Sequence, residues 1–90
     1  MSNTTYVPHV GKSLTAGATE GSVVINVKEI KYLSNDGAID IIFNFENDTA
    51  ATDAFILKAG EKLTNWNVNV GKLYYVAAGD CAFRLIGTRS

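Results

Sequence analysis

The chain has one cysteine, one histidine, one proline, one methionine and one tryptophan in 90 residues. A single cysteine, Cys81, allows no internal disulfide, so a disulfide-stapled secreted scaffold is excluded. One cysteine and one histidine far apart, Cys81 and His9, cannot supply a tetrahedral zinc site. The same scarcity argues against a Ser–His or Cys–His catalytic pair, which needs both partners within hydrogen-bond reach. His9 follows Pro8 in a segment poor in apolar residues and reads as an exposed or interface side chain. Cys81 follows a turn and reads as a buried or half-buried strand cysteine.

Charge is also scarce. Charged residues make up 19% of the chain, with 8 basic and 9 acidic side chains and a net charge of −1. Phosphate binding needs a basic surface, so nucleic acid is not an expected partner. A polybasic membrane-surface anchor is disfavoured on the same ground. No apolar run approaches the roughly 20 residues that span a bilayer as a helix. The start, Met1-Ser2-Asn3-Thr4-Thr5, has neither a basic nor an apolar region of the kind a signal peptide carries, so synthesis in a cytoplasm is expected. So few charges on a small domain suggest that part of the surface is covered by neighbouring subunits.

What is present is β patterning. Short apolar runs are bounded by Gly, Asp and Asn, and no stretch keeps a 3.6-residue period. The expectation is an all-β domain: a small β-sandwich or jelly-roll-like barrel of six to seven strands with an extended N-terminal arm. The arm is assigned to 1–21, which holds three of the 8 glycines and the only proline, and the β-sandwich domain to 22–90. The arm could contain one short edge strand, and Pro8 fits an edge rather than a central strand. Its candidate partner-binding residues are Tyr6, Val7, Pro8, Val10 and Leu14.

Ser22–Leu33 is the first long strand candidate. Val23, Ile25 and Val27 share one face; Val24, Asn26 and Lys28, joined by Ile30 and Tyr32, share the other. Its length implies a bend or bulge near Lys28–Ile30. Ser34-Asn35-Asp36-Gly37 reads as a hairpin turn into Ala38–Phe45. There Ile39, Ile41, Phe43 and Phe45 point inward, Asp40 and Asn44 outward, and Ile42 lies on the outer face. Glu46–Asp53 reads as a loop. Leu73–Ala77 and Cys81–Ile86 read as a final hairpin around Ala78-Gly79-Asp80. Phe83 and Leu85 face inward, and Arg84 faces outward to stack on Tyr74 or Tyr75 or to pair with a carboxylate.

Three further chemistries are compatible with the residue types present. Asn35, Asp36, Asn47, Asp48, Asp53 and Asp80 are loop oxygens of the kind calcium takes, but none has EF-hand spacing and turn chemistry accounts for them. Trp66 between Asn65 and Asn67, with Tyr6, Tyr32, Tyr74 and Tyr75, could form a sugar-binding platform; core packing or a subunit contact is the plainer account. Asp40 with Glu29 could form a carboxylate pair for glycoside hydrolysis, but a domain of this size has little room for a cleft. No catalytic residue, cofactor or metal is assigned, and no enzyme activity is expected. Ile42, Trp66, Tyr74 and Arg84 are the candidate interface residues.

Phe55-Ile56-Leu57-Lys58-Ala59-Gly60-Glu61-Lys62-Leu63, continuing through Leu73-Tyr74-Tyr75-Val76-Ala77 to Ala82-Phe83-Arg84-Leu85-Ile86-Gly87, resembles small β proteins of tailed bacteriophage virions. Those carry a Leu-Lys-x-Gly-Glu turn, an aromatic strand and a closing Arg-Leu-x-Gly strand. The resemblance covers roughly the C-terminal third. It implies a capsid decoration protein, bound to the outside of the head as a homotrimer, with the major capsid protein and copies of itself as partners and the virion as location. A neck, tail or fibre-base component, a carbohydrate-binding module using Trp66, and a phage-encoded inhibitor of a host protein are the alternatives.

Overall fold

A computed structural model of the chain describes residues 9–89. Among them, every regular element is a β-strand: β1 (His9–Ala16), β2 (Gly21–Asn35), β3 (Ile41–Phe45), β4 (Phe55–Leu57), β5 (Lys62–Trp66), β6 (Val70–Ala77) and β7 (Cys81–Arg89). All pairings are antiparallel, in the order β1-β7-β2-β6-β3-β4, and β5 also pairs with β2. The all-β expectation holds.

The long strand β2 determines the architecture. Its first half, Gly21 to Val27, pairs with β6. Its second half, Val27 to Asn35, pairs with β7, and Ile30 to Ser34 also pair with β5. One half of the sheet is therefore β4-β3-β6 with the start of β2. The other is β5, the end of β2, β7 and β1. The halves fold onto each other, as cross-layer ring contacts show: Phe43 of β3 meets Phe83 of β7 at 5.1 Å, and Tyr75 of β6 meets Phe83 at 4.9 Å. Ile25, Val27, Ile30, Leu33, Ile41, Leu73 and Leu85 complete the buried core. Burial of such aliphatic and aromatic side chains, about 1.5–3 kcal/mol each, is the main stabilising term.

The bend expected near Lys28–Ile30 is present as register shifts between Val27 and Glu29 and between Ile30 and Tyr32. It has a consequence that strict alternation missed. Ile30, expected on the face opposite Ile25 and Val27, is fully buried as they are, because an inserted residue reverses the side-chain phase.

Two expected hairpins do not form. β3 pairs with β6 and β4, not with β2, so Ser34–Gly37 is a crossing between the halves. β6 and β7 lie on opposite edges of β2, so Ala78–Asp80 is a second crossing. In both cases the turn residues are compatible with a hairpin, but the core is closed by stacking the halves, and strands adjacent in sequence end up in different layers. Gly37 sits in the first crossing because a Cβ there would lie 2.3 Å from Cys81 Sγ.

Of the segment expected as an arm, residues 9–16 form β1, paired along its whole length with β7. Val10 is buried and Leu14 half-buried against the core, so these two arm candidates are packed inside this fold. Tyr6, Val7 and Pro8 lie outside the described residues.

Asn44 is a further correction. Expected outward, it is 2% exposed. The loop after β3 folds back over it: its Nδ2 donates to the Asp48 carbonyl at 2.9 Å and to Asp53 Oδ1 at 3.0 Å, and its Oδ1 accepts from Phe45 N–H.

Candidate interaction faces

Because the inner faces of the two halves pack together, their outer faces point away from each other. On the β1-β7-β2 half, strand alternation puts Ala82, Arg84 and Ile86 outward. Register brings Tyr32 beside Ile86, and Ser34 and Ser13 beside Arg84. Gly11, Lys12, Ser13, Tyr32, Arg84 and Ile86 line a shallow hollow of about 260 Å³. A Cβ at Gly11 would have no neighbour within 4 Å.

Arg84 is held in place. Its Nε lies 2.6 Å from Asp36 Oδ2 and its Nη2 3.2 Å from Oδ1, while Ser34 Oγ donates to Oδ1 at 2.9 Å. The guanidinium sits 5.7 Å from the Tyr32 ring centre. The expected carboxylate partner is thus present, and the aromatic partner is Tyr32 rather than Tyr74 or Tyr75. The hydrogen bonds from Arg84 hold the Asp36 carboxyl below the usual carboxylate range.

On the other half, cross-strand register lines up Ile56, Ile42 and Val76 on the outer face. Ile56 is 57% exposed and Ile42 half-buried, consistent with the outer placement of Ile42. Tyr74 stands next to this row, opposite Ser22 and Asn44, with Lys72 Nζ 5.5 Å from its ring centre. The 46–53 loop borders the row. Glu20 fastens it by accepting from both the Thr49 N–H and hydroxyl, which lowers the Glu20 pKa.

Charge divides between the halves. Among the described residues, β1, β5, β7 and the second half of β2 hold Lys12, Lys28, Lys31, Lys62, Arg84 and Arg89 against Glu29, with Asp36 of the first crossing paired to Arg84. The other half, with its loop, holds Glu20, Glu46, Asp48 and Asp53 against Lys72. Asp40 stands just before β3, Lys58 and Glu61 between β4 and β5, and Asp80 in the second crossing. A net charge near zero over the whole chain therefore conceals a basic half and an acidic one.

Trp66 is 38% exposed and joins an aromatic cluster, 5.2 Å from Phe45 and 5.6 Å from Phe55. The rings expected to share a platform with it have other partners: Tyr75 lies on Phe83, Tyr32 beside Arg84 and Tyr74 beside Lys72. A second cleft of about 340 Å³ is lined by Asn26, Glu46, Asn69 and Gly71. There Glu46 Oε1 accepts from the Gly71 and Lys72 N–H groups. Asn26 and Glu46 are both left-handed, at φ 49° and 65°.

The loop oxygens also have protein partners. Asn35, 1% exposed, donates to the carbonyls of Ile39 and Leu57 and accepts from Gly37 N–H and the Cys81 thiol. Among the described residues, no three His, Cys, Asp or Glu side chains gather at one point. Glu29 pairs with Lys31 at 3.4 Å, and Asp40 accepts from Ala59 N–H. His9 is exposed at the start of β1.

Val24, Ile56 and Ile86 are exposed apolar residues outside the expected interface set. Alternation already placed Ile86 with Arg84. For Ile56 the signal was its position between Phe55 and Leu57, which both turn toward the core.

No protein-family model matches the chain, and no curated protein matches it. A solved structure that it is similar to is described as "Bacillus endospore appendages form a novel family of disulfide-linked pili". The TM-score is 0.44 and the identity 15%, over 100% of this chain and 96% of that one. At this level of similarity no property of that protein transfers to this chain.

Proposed function

We propose that this chain is a non-enzymatic structural protein that attaches to copies of itself and to a repeating protein surface. The form implied by its resemblance is decoration of the outside of a bacteriophage head. The observation that supports it is the pair of outward-facing sheet surfaces, each presenting apolar side chains: Ile56, Ile42 and Val76 on one, Ile86 and Tyr32 on the other. A protein that binds only the assembled shell stabilises that shell by mass action. Copies joined as a homotrimer would multiply weak contacts into firm attachment.

The test is native mass at micromolar concentration together with cosedimentation on phage heads. An oligomer that pellets with heads is the expected result. A strict monomer that stays in the supernatant overturns the proposal. Attachment by the N-terminal segment is tested by deleting residues 1–8. A deletion through Thr15 would remove most of β1 and its buried Val10, and so would confound attachment with folding.

A further inference from the structure

We infer that the cleft between Glu46 and Asn69, together with the neighbouring Trp66, is a binding site for a neutral, hydroxyl-rich carbohydrate. The inference goes beyond the assembly reading above and does not depend on it.

The cleft is polar and its walls are fixed. It measures about 340 Å³ and is lined by the exposed residues Asn26, Glu46 and Asn69. β2 has one extra residue between Val24 and Val27 relative to β6, and Asn26 takes up the bulge at φ 49°. Glu46, at φ 65°, holds a conformation that a side chain of its length rarely adopts. Its Oε1 accepts from the Gly71 and Lys72 N–H groups. Glycine is required at position 71, because a Cβ there would lie 2.7 Å from that oxygen. These bonds use Oε1 and leave Oε2 to accept from a ligand hydroxyl. Non-glycine residues held left-handed by their surroundings cluster at ligand clamps. The third among the described residues, Asn65 at φ 54°, directly precedes Trp66.

Trp66 supplies an apolar surface beside the cleft. Its ring is 38% exposed and stands 5.2 Å from that of Phe45, the residue before Glu46. Asn69 follows Trp66 by three residues, so their Cα atoms are at most about 11 Å apart. One short oligosaccharide can therefore touch both. A sugar ring has an apolar C–H face and a rim of hydroxyls. An indole packs against the face, while a carboxylate oxygen and an asparagine amide pair with the rim. Other ligand classes fit less well. Glu46 opposes an anion, and among the described residues no three His, Cys, Asp or Glu side chains gather to hold a metal ion.

Trp66 is the one tryptophan of the chain, so its emission reports on this site alone. The test titrates the full chain with neutral oligosaccharides of glucose, galactose and N-acetylglucosamine, followed by indole emission and by calorimetry. A saturable response to at least one of them is expected. Trp66→Ala, Glu46→Gln and Asn69→Ala are each expected to weaken that binding about tenfold or more, as loss of one stacking or charge-assisted contact does. Calorimetry reads the variants, and circular dichroism checks that each is folded. Should Glu46→Gln unfold, Asn69→Ala probes the same cleft from an exposed position. Arg84→Ala, on the outer face of the other half, is expected to bind as wild type does.

The inference is overturned if no oligosaccharide of the panel binds. It is also overturned if the folded cleft variants keep wild-type affinity, or if Trp66→Ala does.

Discussion

Two buried asparagines, Asn35 and Asn44, use the same amide chemistry over different spans. Asn35 at the end of β2 fastens four separate pieces of chain: the crossing at Gly37 and Ile39, the end of β4 at Leu57, the start of β7 at Cys81, and, through its backbone, Gly60 and Glu61. Asn44 in β3 fastens one loop to its own strand. The first bracket joins the two halves of the sheet, and the second shapes the acidic border of one half. A buried amide with all its hydrogen bonds made stabilises whatever it connects. How far its loss is felt depends on the sequence distance it bridges.

The largest expected effect comes from Asn35→Ala. It strands the buried Leu57 carbonyl and the half-buried Gly37 N–H and leaves the Ile39 carbonyl only the Cys81 thiol as donor, and orphaning a buried group costs about 1–3 kcal/mol. A total loss of about 3–5 kcal/mol is expected, read as a fall in the urea midpoint. That is a large share of the roughly 5–13 kcal/mol that a domain of this size has. Asn44→Ala should cost less, about 1–2 kcal/mol, with faster amide exchange confined to the 46–53 loop. Equal losses from the two substitutions, or exchange spreading from Asn44 into β7, would remove the distinction between a global and a local bracket.

The smallest expected effect is electrostatic. Asp36 is lowered chiefly by its hydrogen bonds from Arg84, and Glu20 by those from Thr49. A carboxylate with a depressed pKa in the folded state contributes stability above its unfolded pKa, and that contribution is lost as pH falls through the folded value. Stability should therefore decline on acidification through and below the ordinary carboxylate range. Arg84→Ala should remove the Asp36 share of that slope and little else, because both groups face water. Urea midpoints measured as a function of pH for wild type and the variant check this; parallel profiles would show that the ion pair contributes nothing.

The alternation of apolar residues made the strands legible: Val23-Ile25-Val27, Ile41-Phe43 and Phe83-Leu85 point where period two puts them. Outward Arg84 and Ile42 followed from the same rule. Asn44 did not, because an amide in a strand looks solvated until the loop that follows it supplies partners from Asp48 and Asp53. Asn35 was visible as a turn residue, but its four side-chain partners come from three stretches of chain.

By itself the sequence determined that the fold is all-β, where most strands and turns after Gly21 fall, and that a bulge interrupts the longest strand, because these depend on neighbours a few residues apart. Only the tertiary structure decided that turns suited to hairpins serve as crossings, that His9–Ala16 is a full edge strand, and that charges scattered along the chain sort into a basic half and an acidic half. Those outcomes depend on which strands share a layer. The shared layers are set by closing one core around Phe43, Tyr75 and Phe83, which lie far apart in the chain.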